Sequence, residues 1–325
     1  MCCMTLFHGY CPAWLIADFT VRCCSLMVLR LGRHCPWTGE TWPPSLQAAL
    51  QQSPIRDKKT HSHFDDSQVP TMIRPLKIVH TSDVHLFDGE EGMPVRKAFS
   101  QVVDVVLEAE SDLFLIAGDF FDHNRIHSDV IDFVYEELAR VRCPVVIIAG
   151  NHDCWGEERA ILQRMDFRAG AGHHVTMLDQ VEGATVEYPE LHATVWGRCM
   201  LEHTLENKPM AGSPARTRDM WHIGMAHGLY VDYEETGRSS LITPREIETS
   251  GFDYLAMGHV HVHQQVRHGN TVACYPGAPV PYYGSKAGSV ALIDLVPGEG
   301  VRVAEHRLGT AVARQVAEPL VAQAA

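Results

Sequence analysis

The chain has 325 residues, of which 46% are hydrophobic, and a formal net charge of −13. A chain of this size can bury a substantial core. It contains no run of about 18 uninterrupted apolar residues, so no membrane span is predicted. The acidic excess lies after residue 71, and stand-alone nucleic-acid binders usually have the opposite sign, so a polyanionic substrate would need local positive charge and bound metal.

The first 71 residues are predicted to stand outside the catalytic domain. Six of the ten cysteines fall before residue 36 without a C-x-x-C spacing, which favours free thiols and a cytoplasmic protein. Asp18 and Arg22 interrupt the only early apolar stretch, so no secretory signal is predicted. From about Gly39 to Pro70 the composition is typical of a linker or disordered arm. We predict an N-terminal extension over 1–71, a catalytic domain over 72–309 and a short tail over 310–325. The extension is interpreted either as a disordered segment or as the result of a start codon assigned too far upstream.

From Met72 onward, apolar runs of strand length alternate with helical patterns. The predicted strands are Leu76–Thr81, Leu113–Ala117, Val145–Ala149, Ile223–Ala226, Tyr254–Met257, Thr271–Cys274 and Ser289–Leu295. The first predicted helix buries Val95, Phe99, Val102, Val103, Val106 and Leu107. A second helix, with Ser128 as its expected N-cap, buries Val130, Phe133, Val134, Leu138 and Val141. This alternation indicates an α/β fold whose buried sheet is parallel at least in its first half, with the later strands adding a further layer.

Five polar clusters lie at or just beyond the ends of the first five predicted strands. They are Asp83-Val84-His85, Gly118-Asp119, Gly150-Asn151-His152-Asp153, His227 and Gly258-His259-Val260-His261. Ligands collect at the carboxyl ends of strands in open α/β sheets, so we expect these clusters to converge. Their Asp, Asn and His side chains are what a two-metal phosphoester hydrolase requires.

Taken singly, the clusters are weak signals, because a lone His after a strand is more often a hydrogen-bonded core residue than a ligand. Gly150 permits a tight turn in which Asn151 and His152 face one point. In an extended segment, His259 and His261 would face the same side. The ordered occurrence of all five clusters favours a metal centre over an unrelated α/β protein that is rich in histidine.

These motifs resemble those of the calcineurin-like metallophosphoesterase superfamily, from about Lys77 to Asp294. The resemblance implies a four-layer α/β sandwich, in which two mixed β-sheets are flanked by helices. It implies one metal site with Asp83, His85 and His261, a bridging Asp119, and a second site with Asn151, His227 and His259. His152 corresponds to the family's catalytic histidine, and Asp153 to the acid that orients it.

The chemistry of phosphodiester hydrolysis fits the same residues. Two cations roughly 3.5–4 Å apart neutralise the substrate and lower the pKa of a bridging water. Asp119, which follows Gly118 at a strand end, is short and fixed enough to bind both ions. Mixed Asp, Asn and His ligation suits Mn²⁺ or Fe²⁺, with Zn²⁺ as an alternative. His152 is expected to protonate the leaving oxygen, a contribution of roughly 10²–10⁴-fold.

A closer resemblance links the chain to the SbcD-type DNA repair exonucleases, which degrade DNA ends with manganese. It is carried by the segments 80–86 (HTSDVHL), 118–122 (GDFFD), 252–261 (FDYLAMGHVH) and 275–279 (YPGAP). The resemblance implies a DNA substrate and a coiled-coil ATPase partner of the SbcC type. The sequence departs from the family pattern at Phe87-Asp88, where a glycine is usual, and at Ala278, where serine is common.

Three functions remain open. The first is a DNA exonuclease or endonuclease of SbcD-like type. The second is an esterase for small phosphodiesters or phosphomonoesters, such as cyclic nucleotides. It is favoured by the acidic core and by the few residues after Leu308, too few for a DNA-capping domain and ATPase-binding helices. The third, a non-catalytic scaffold, is disfavoured because no expected ligand is missing.

Overall fold

The computed structural model describes residues 73–216, 219–232, 237–281 and 287–309. Its strands are β1 (Leu76–Thr81), β2 (Leu113–Ala117), β3 (Val145–Ile148), β4 (Val175–Met177), β5 (Ala184–Tyr188), β6 (Ala193–Gly197), β7 (Trp221–His227), β8 (Leu229–Tyr230), β9 (Leu241–Ile242), β10 (Tyr254–Gly258), β11 (Gln264–His268), β12 (Thr271–Tyr275), β13 (Ser289–Val296) and β14 (Gly300–Arg307). Its α-helices are α1 (Met93–Glu108), α2 (Ser128–Arg140), α3 (Ile161–Arg164), α4 (Phe167–Gly170) and α5 (Pro244–Thr249). The predicted extension over 1–71 and tail over 310–325 lie outside the described residues.

The first sheet has the strand order β14-β13-β1-β2-β3-β4. Strands β1 to β4 are parallel to their neighbours, whereas β13 is antiparallel to both β1 and β14. Helices α1 and α2 provide the crossovers that connect β1 to β2 and β2 to β3. Every residue of β2 and β3 is buried, which explains why these strands are continuous apolar runs.

The second sheet has the order β11-β12-β10-β7-β6-β5. Its four central strands are parallel, and the edge strands β11 and β5 are antiparallel to their neighbours. Both six-stranded sheets are therefore mixed, and helices flank them. The predicted fold class is confirmed.

Apolar cores lie on both faces of the two sheets. Between the sheets, Ile78 of β1 belongs to the same buried cluster as Ile223 of β7. On the outer face of the first sheet, Phe99 of α1 belongs to the cluster that also contains Phe114 of β2. The outer face of the second sheet has its own cluster, which includes Ile247 of α5. This layering fixes the two sheets against each other and holds their strand ends at defined positions.

Most predicted elements agree with the structure, but the start of α2 does not. Ser128 is the first residue of the helix, and His127, with an extended ψ of 159°, is the N-cap. The His127 side chain makes no capping hydrogen bond, and its backbone N–H donates instead to Oδ1 of Asp88 at 2.9 Å. The expectation that Ser128 caps the helix is therefore wrong, because Ser128 already has helical geometry.

Candidate metal centre

The side chains predicted as metal ligands meet where strand ends of the two sheets approach each other. Nδ1 of His227, the last residue of β7, lies 2.9 Å from the carbonyl oxygen of Ala117, the last residue of β2. The backbone N–H of His259, just after β10, donates to both carboxylate oxygens of Asp83, just after β1, at 3.0 and 3.1 Å. Each sheet therefore supplies part of one cluster.

Four of the predicted ligands have a left-handed backbone. Their φ angles are 54° for Asp83, 54° for His85, 49° for Asp119 and 102° for His259. Such a conformation costs of order 1–3 kcal/mol for a non-glycine residue and persists where the surrounding structure imposes it, often at functional sites. It also corrects one expectation, because the segment that carries His259 and His261 is not extended.

Two glycines allow the close approach of the ligands. A Cβ on Gly118, whose φ is 87°, would lie 2.4 Å from Nδ1 of His227. A Cβ on Gly150 would lie 2.2 Å from Oδ1 of Asp119. Neither position can carry a side chain unless the cluster moves, so both glycines are required for its compactness, and Gly118 also for its left-handed backbone.

The first group of ligand atoms comes from Asp83, His85 and His261, and these atoms lie within 4.8 Å of one another. Nε2 of His85 is 3.3 Å from Nε2 of His261, which is 3.6 Å from Oδ1 of Asp83. Oδ2 of Asp119 approaches the group to 3.8 Å from Nε2 of His85. This is the set that the sequence assigned to one metal ion.

The second group is built around Asn151. Its Oδ1 lies 3.1 Å from Nε2 of His227 and 2.8 Å from Nδ1 of His259. Oδ2 of Asp119 lies 3.4 Å from Nε2 of His227. The same carboxylate oxygen therefore faces His85 on one side and His227 on the other, which is the geometry that a bridging ligand needs.

Neighbouring oxygens orient the imidazole rings. The Ala117 carbonyl engages Nδ1 of His227 and leaves Nε2 facing the cluster. Oδ1 of Asp122 lies 3.2 Å from Nδ1 of His85 without the geometry of a hydrogen bond, and Nε2 of His85 faces His261. A hydrogen bond such as that of His227 fixes the orientation of a metal-binding histidine and raises its basicity.

Charge within the cluster is concentrated on a buried pair. Burial by itself would lower the pKa of His227, but Asp119 and Asp83 outweigh it and raise the pKa to about 9. Burial by itself would raise the pKa of Asp119, but His227 and His85 hold that pKa well below its ordinary value. His227 and Asp119 therefore form a buried ion pair. Burial, together with His227, lowers the pKa of His259 to about 4, which keeps this imidazole neutral.

His152 lies at the open side of the cluster, with 43% of its side chain exposed. Its backbone N–H donates to Oδ1 of Asp119 at 2.9 Å, and its ring Nδ1 lies 2.8 Å from the carbonyl oxygen of Asp122. The ring packs edge-on against His85 with 4.6 Å between centroids. Nε2 is thus the ring nitrogen available for proton transfer at the mouth of the centre.

Asp153 does not have the contacts expected of an acid that orients His152. It is fully buried, its Oδ1 accepts from the N–H of Gly150 at 2.7 Å, and its Oδ2 accepts from Phe120 and Phe121 at 2.8 and 3.1 Å. In the described part of the chain, no hydrogen bond joins its carboxylate to the His152 ring. The expected orienting role is corrected: Asp153 ties the loop after β3 to the loop after β2, and the Asp122 carbonyl orients the imidazole.

The donor set fits divalent cations. Two ring nitrogens, of His85 and His261, face each other at 3.3 Å. The charges that act on Asp83 and Asp119 come from other members of the cluster, with no Lys or Arg among them. Carboxylates and imidazoles that converge in a buried place are stable when a cation neutralises them. Their mixture of oxygen and nitrogen donors suits a divalent transition metal.

Comparison with known protein families identifies the family of the chain. The model of the calcineurin-like phosphoesterase family matches residues 76–263, more than half of the chain. The chain belongs to this family. The calcineurin-like phosphoesterases are metal-dependent, and the matched segment contains every ligand predicted from the sequence. The sequence resemblance at the superfamily level is thereby confirmed.

Three curated relatives are similar to most of the chain. The SbcD component of the nuclease SbcCD of Bacillus subtilis is 26% identical over 271 residues, which are 69% of this chain and 67% of that protein. The uncharacterized metallophosphoesterase YhaO of Bacillus subtilis is 26% identical over 222 residues, or 63% and 53%. The DNA double-strand break repair protein Mre11 of Methanopyrus kandleri is 27% identical over 241 residues, or 63% and 49%. The chain thus spans about half to two thirds of the length of these relatives.

Among solved structures, the crystal structure of TT1561 of Thermus thermophilus has a TM-score of 0.50 at 14% identity. The match covers 71% of this chain and 98% of that chain. It supports the shared fold. In the described residues of this chain, no helix has the length and apolar character needed to cross a bilayer.

The structure adds two residues that the sequence did not assign to the site. Asp122 contacts both His85 and His152, and its only sequence signal is its place three residues after Asp119. His203 packs edge-on against His259, with 5.9 Å between ring centroids. His203 follows no predicted strand, since β6 was not predicted, so its place near the centre is visible only after folding.

Proposed function

We propose that the chain is a dinuclear metal-dependent phosphodiesterase that acts on DNA, as an exonuclease or endonuclease of SbcD-like type. The observation that carries the proposal is the Asp119 carboxylate, which faces ligand atoms of two adjacent groups at 3.8 and 3.4 Å. A mononuclear site would not need this shared oxygen. The family membership supports hydrolysis of phosphoesters. The group of Asp83, His85 and His261 and the contacts of Asn151 with His227 and His259 support a pair of metal ions.

Asp83, His85 and His261 would hold one ion and Asn151, His227 and His259 the other, with Asp119 shared. When bound, the two ions would neutralise phosphate charge and activate a water for attack. Because the Asp122 carbonyl accepts from Nδ1 of His152, a further proton on Nε2 makes the ring an imidazolium, and this proton would pass to the departing oxygen. Asp153 holds the loops that carry Asp119 and His152 in place through three backbone N–H groups.

DNA is proposed because two of the curated relatives are named as a nuclease and as a DNA double-strand break repair protein. Mn²⁺ is the proposed metal, because the sequence resembles the SbcD-type exonucleases and the mixed oxygen and nitrogen donors suit this ion, with Fe²⁺ and Zn²⁺ as alternatives. The name of the SbcCD nuclease motivates an ATPase partner of the SbcC type. The cytoplasmic location stays a prediction; the described cysteines Cys143, Cys154, Cys199 and Cys274 are free thiols, in keeping with it.

A second candidate is an esterase for small phosphodiesters. The loops that follow β3 and β6 expose the carboxylates of Glu157, Glu158, Glu202 and Glu206. These charges would repel the flanking phosphates of a long polyanion, but a substrate with a single phosphate would not extend to them.

The test incubates the purified protein and Mn²⁺ with single-stranded DNA, blunt duplex, cyclic nucleotides and bis(4-nitrophenyl) phosphate. Asp119→Ala serves as the control for contaminating activity. We expect the unaltered chain to cleave DNA and the bis-ester, and the Asp119→Ala variant to cleave neither. Hydrolysis of small esters with DNA untouched would favour the second candidate, and no metal-dependent hydrolysis of any substrate would refute the proposed function.

A further inference from the structure

Residues 198–212, here called the mouth loop, follow β6 in the connection that leads to β7, and they lie beside the metal centre. The backbone N–H groups of Trp155 and Gly156 donate to the carbonyl oxygens of Met200 and Leu201, both at 2.8 Å. Trp155 is three residues after His152, so these bonds join the mouth loop to the segment with the proposed proton donor. Further along, His203 packs against His259, 5.9 Å between centroids. The mouth loop therefore contacts two of the segments that carry residues of the centre.

Several contacts hold the mouth loop in one conformation. The Arg198 guanidinium donates to the carbonyl oxygens of Val181 at 2.5 Å and Lys208 at 2.8 Å. Nδ2 of Asn207 donates to Oγ of Ser240 at 2.9 Å. A loop fixed in this way presents its outer side chains in a preorganised arrangement, which lowers the entropic cost of binding a ligand.

Two of the side chains that the mouth loop exposes to solvent are large and apolar. Leu201 is 44% exposed and Leu205 is 58% exposed, and they are two of the four large hydrophobic residues exposed in the described ranges. His203, between them in sequence, is also exposed. Two leucines that the protein's own cores leave uncovered, on an ordered loop next to a metal centre, indicate a binding surface.

The charges on the same loop indicate which part of a substrate this surface contacts. Glu202 and Glu206 are exposed next to His203 and Leu205, and the exposed Lys208 acts on Glu206, so residues 201–208 carry two carboxylates against one ammonium group. A second phosphate placed here would meet two carboxylates, whereas an aromatic or other apolar group would meet leucine side chains and an imidazole edge. The surface therefore fits an uncharged organic group of a phosphoester.

We propose that Leu201, His203 and Leu205 bind the organic group of a phosphodiester whose phosphate lies at the metal centre. This inference rests on the proposed function and adds a preference to it. Diesters with an aromatic or otherwise apolar second group, such as an aryl ring or the face of a nucleobase, are preferred over diesters with a small alkyl group. Phosphomonoesters, which have no second organic group, gain nothing from the same contacts.

The kinetic test compares bis(4-nitrophenyl) phosphate with methyl 4-nitrophenyl phosphate, which share a leaving group and differ in the second ester. The measured quantity is the ratio of their kcat/KM values with the Mn²⁺-loaded protein. In the double variant Leu201→Ser/Leu205→Ser this ratio is expected to fall about tenfold, mostly through KM for the bis-aryl ester. Met93→Ser removes another exposed apolar side chain, 56% exposed at the start of α1, and is expected to keep the ratio of the unaltered chain.

A binding measurement separates recognition from turnover. Calorimetric titration with diphenyl phosphate and dimethyl phosphate is expected to show a preference for the diphenyl ester of about tenfold, which the double variant loses. If the unaltered chain hydrolyses both nitrophenyl esters but the double variant lowers both equally or neither, the inference is wrong while the proposed function stands. If the unaltered chain hydrolyses neither ester, the proposed function itself fails, and calorimetry still decides whether the apolar preference exists.

Discussion

At the scale of single residues, Asp119 and His152 are neighbours with different contacts. Oδ2 of Asp119 faces His85 and His227, while its Oδ1 accepts the backbone N–H of His152. The His152 ring lies at the open side and contacts the Asp122 carbonyl. We therefore assign Asp119 to metal binding and His152 to proton transfer.

These assignments predict different defects in two variants. Asp119→Ala is expected to lose metal and activity together, because the shared oxygen disappears. His152→Ala is expected to keep its metal while kcat falls by roughly 10²–10⁴-fold, the usual effect of a general acid. Elemental analysis after dialysis, paired with kcat for the bis-ester, measures both. Equal metal loss in the two variants would contradict the role of His152.

The raised pKa of His227 predicts how metal affinity depends on pH. Since this pKa is about 9 because of Asp119 and Asp83, against the burial that lowers it, His227 holds a proton at neutral pH until a metal displaces it. Apparent affinity for Mn²⁺ is therefore expected to rise by up to about tenfold for each pH unit between 6.5 and 9. Calorimetry at several pH values in buffers with different ionisation enthalpies would show proton release on binding.

The same residue predicts the opposite trend for the stability of the chelated protein. A raised histidine pKa gives stabilisation that is fully present below 6.5, the ordinary value, and is lost as the pH rises through about 9. Thermal unfolding in the presence of a chelator is thus expected to shift to lower temperature over this range. Both trends depend on a protonated His227. If the affinity for Mn²⁺ does not change with pH, His227 is already neutral before the metal binds, and the prediction for metal affinity is wrong.

At the scale of elements, one hydrogen bond links the sheets below the metal centre. His80 in β1 and Tyr254 in β10 are both fully buried, and Nδ1 of His80 lies 2.8 Å from the Tyr254 hydroxyl. Burial, with His263 nearby, lowers the pKa of His80 to about 3, so this pair is neutral. Since β1 leads to Asp83 and β10 leads to His259, the bond holds two ligand-bearing strands at a fixed distance.

Tyr254→Phe is expected to weaken metal binding as well as stability. It leaves a buried nitrogen of His80 without its partner, which costs about 1–3 kcal/mol of unfolding free energy. Because the strands then lose a restraint near the ligands, the Mn²⁺ dissociation constant is expected to rise about tenfold. Denaturant unfolding and metal titration measure the two effects separately.

Thr271→Val is the matched control for Tyr254→Phe. The Thr271 hydroxyl donates to the Phe252 carbonyl at 2.7 Å, a buried bond at the end of the second sheet where β12 begins. This variant is expected to lose stability without a change in metal affinity. If both variants lower metal affinity in proportion to their stability, the bond between His80 and Tyr254 has no specific positioning role.

The central strands of the first sheet could be predicted from the sequence, because their burial makes them continuous apolar runs. β1, β2 and β3 are central strands with apolar runs, and their predicted bounds agree with the structure to within one residue. β11 was not predicted, because its residues are mostly exposed and polar and it exists through pairing with β12. β4, with three residues, is too short to show periodicity. Edge strands are thus set by tertiary pairing that local pattern does not record.

The site was predictable to the extent that its ligands follow strand ends. Topology brings the carboxyl ends of parallel strands together, so the positions of Asp83, Asp119 and Asn151 could be inferred without coordinates. The contacts of Asp153 and His203 could not, since they depend on how loops fold over the strand ends. The left-handed backbone at His259 was also invisible, because nothing in a short His-Val-His segment excludes an extended conformation.

At the scale of the whole molecule, the predicted start of the catalytic domain at residue 72 can be tested by experiment. β1 hydrogen-bonds to β2 on one side and to β13 on the other, so its two edges are both paired within the catalytic domain. The predicted ligands begin at Asp83 and end at His261, between paired strands. The catalytic fold therefore has its strands and its ligands within the residues predicted for that domain.

A chain shortened to begin at Met72 is expected to fold, to keep its metal affinity and to retain kcat/KM for the bis-ester, because it keeps all of β1. A chain shortened to begin at Val79 is the matched control. It lacks Leu76 and Ile78, which are 1% exposed and pack between the sheets, and is expected to be insoluble or unfolded. Far-ultraviolet circular dichroism, thermal unfolding and kinetics compare the three chains. If the chain from Met72 loses solubility or turnover, residues 1–71 belong to the functional unit and the predicted domain limit is wrong.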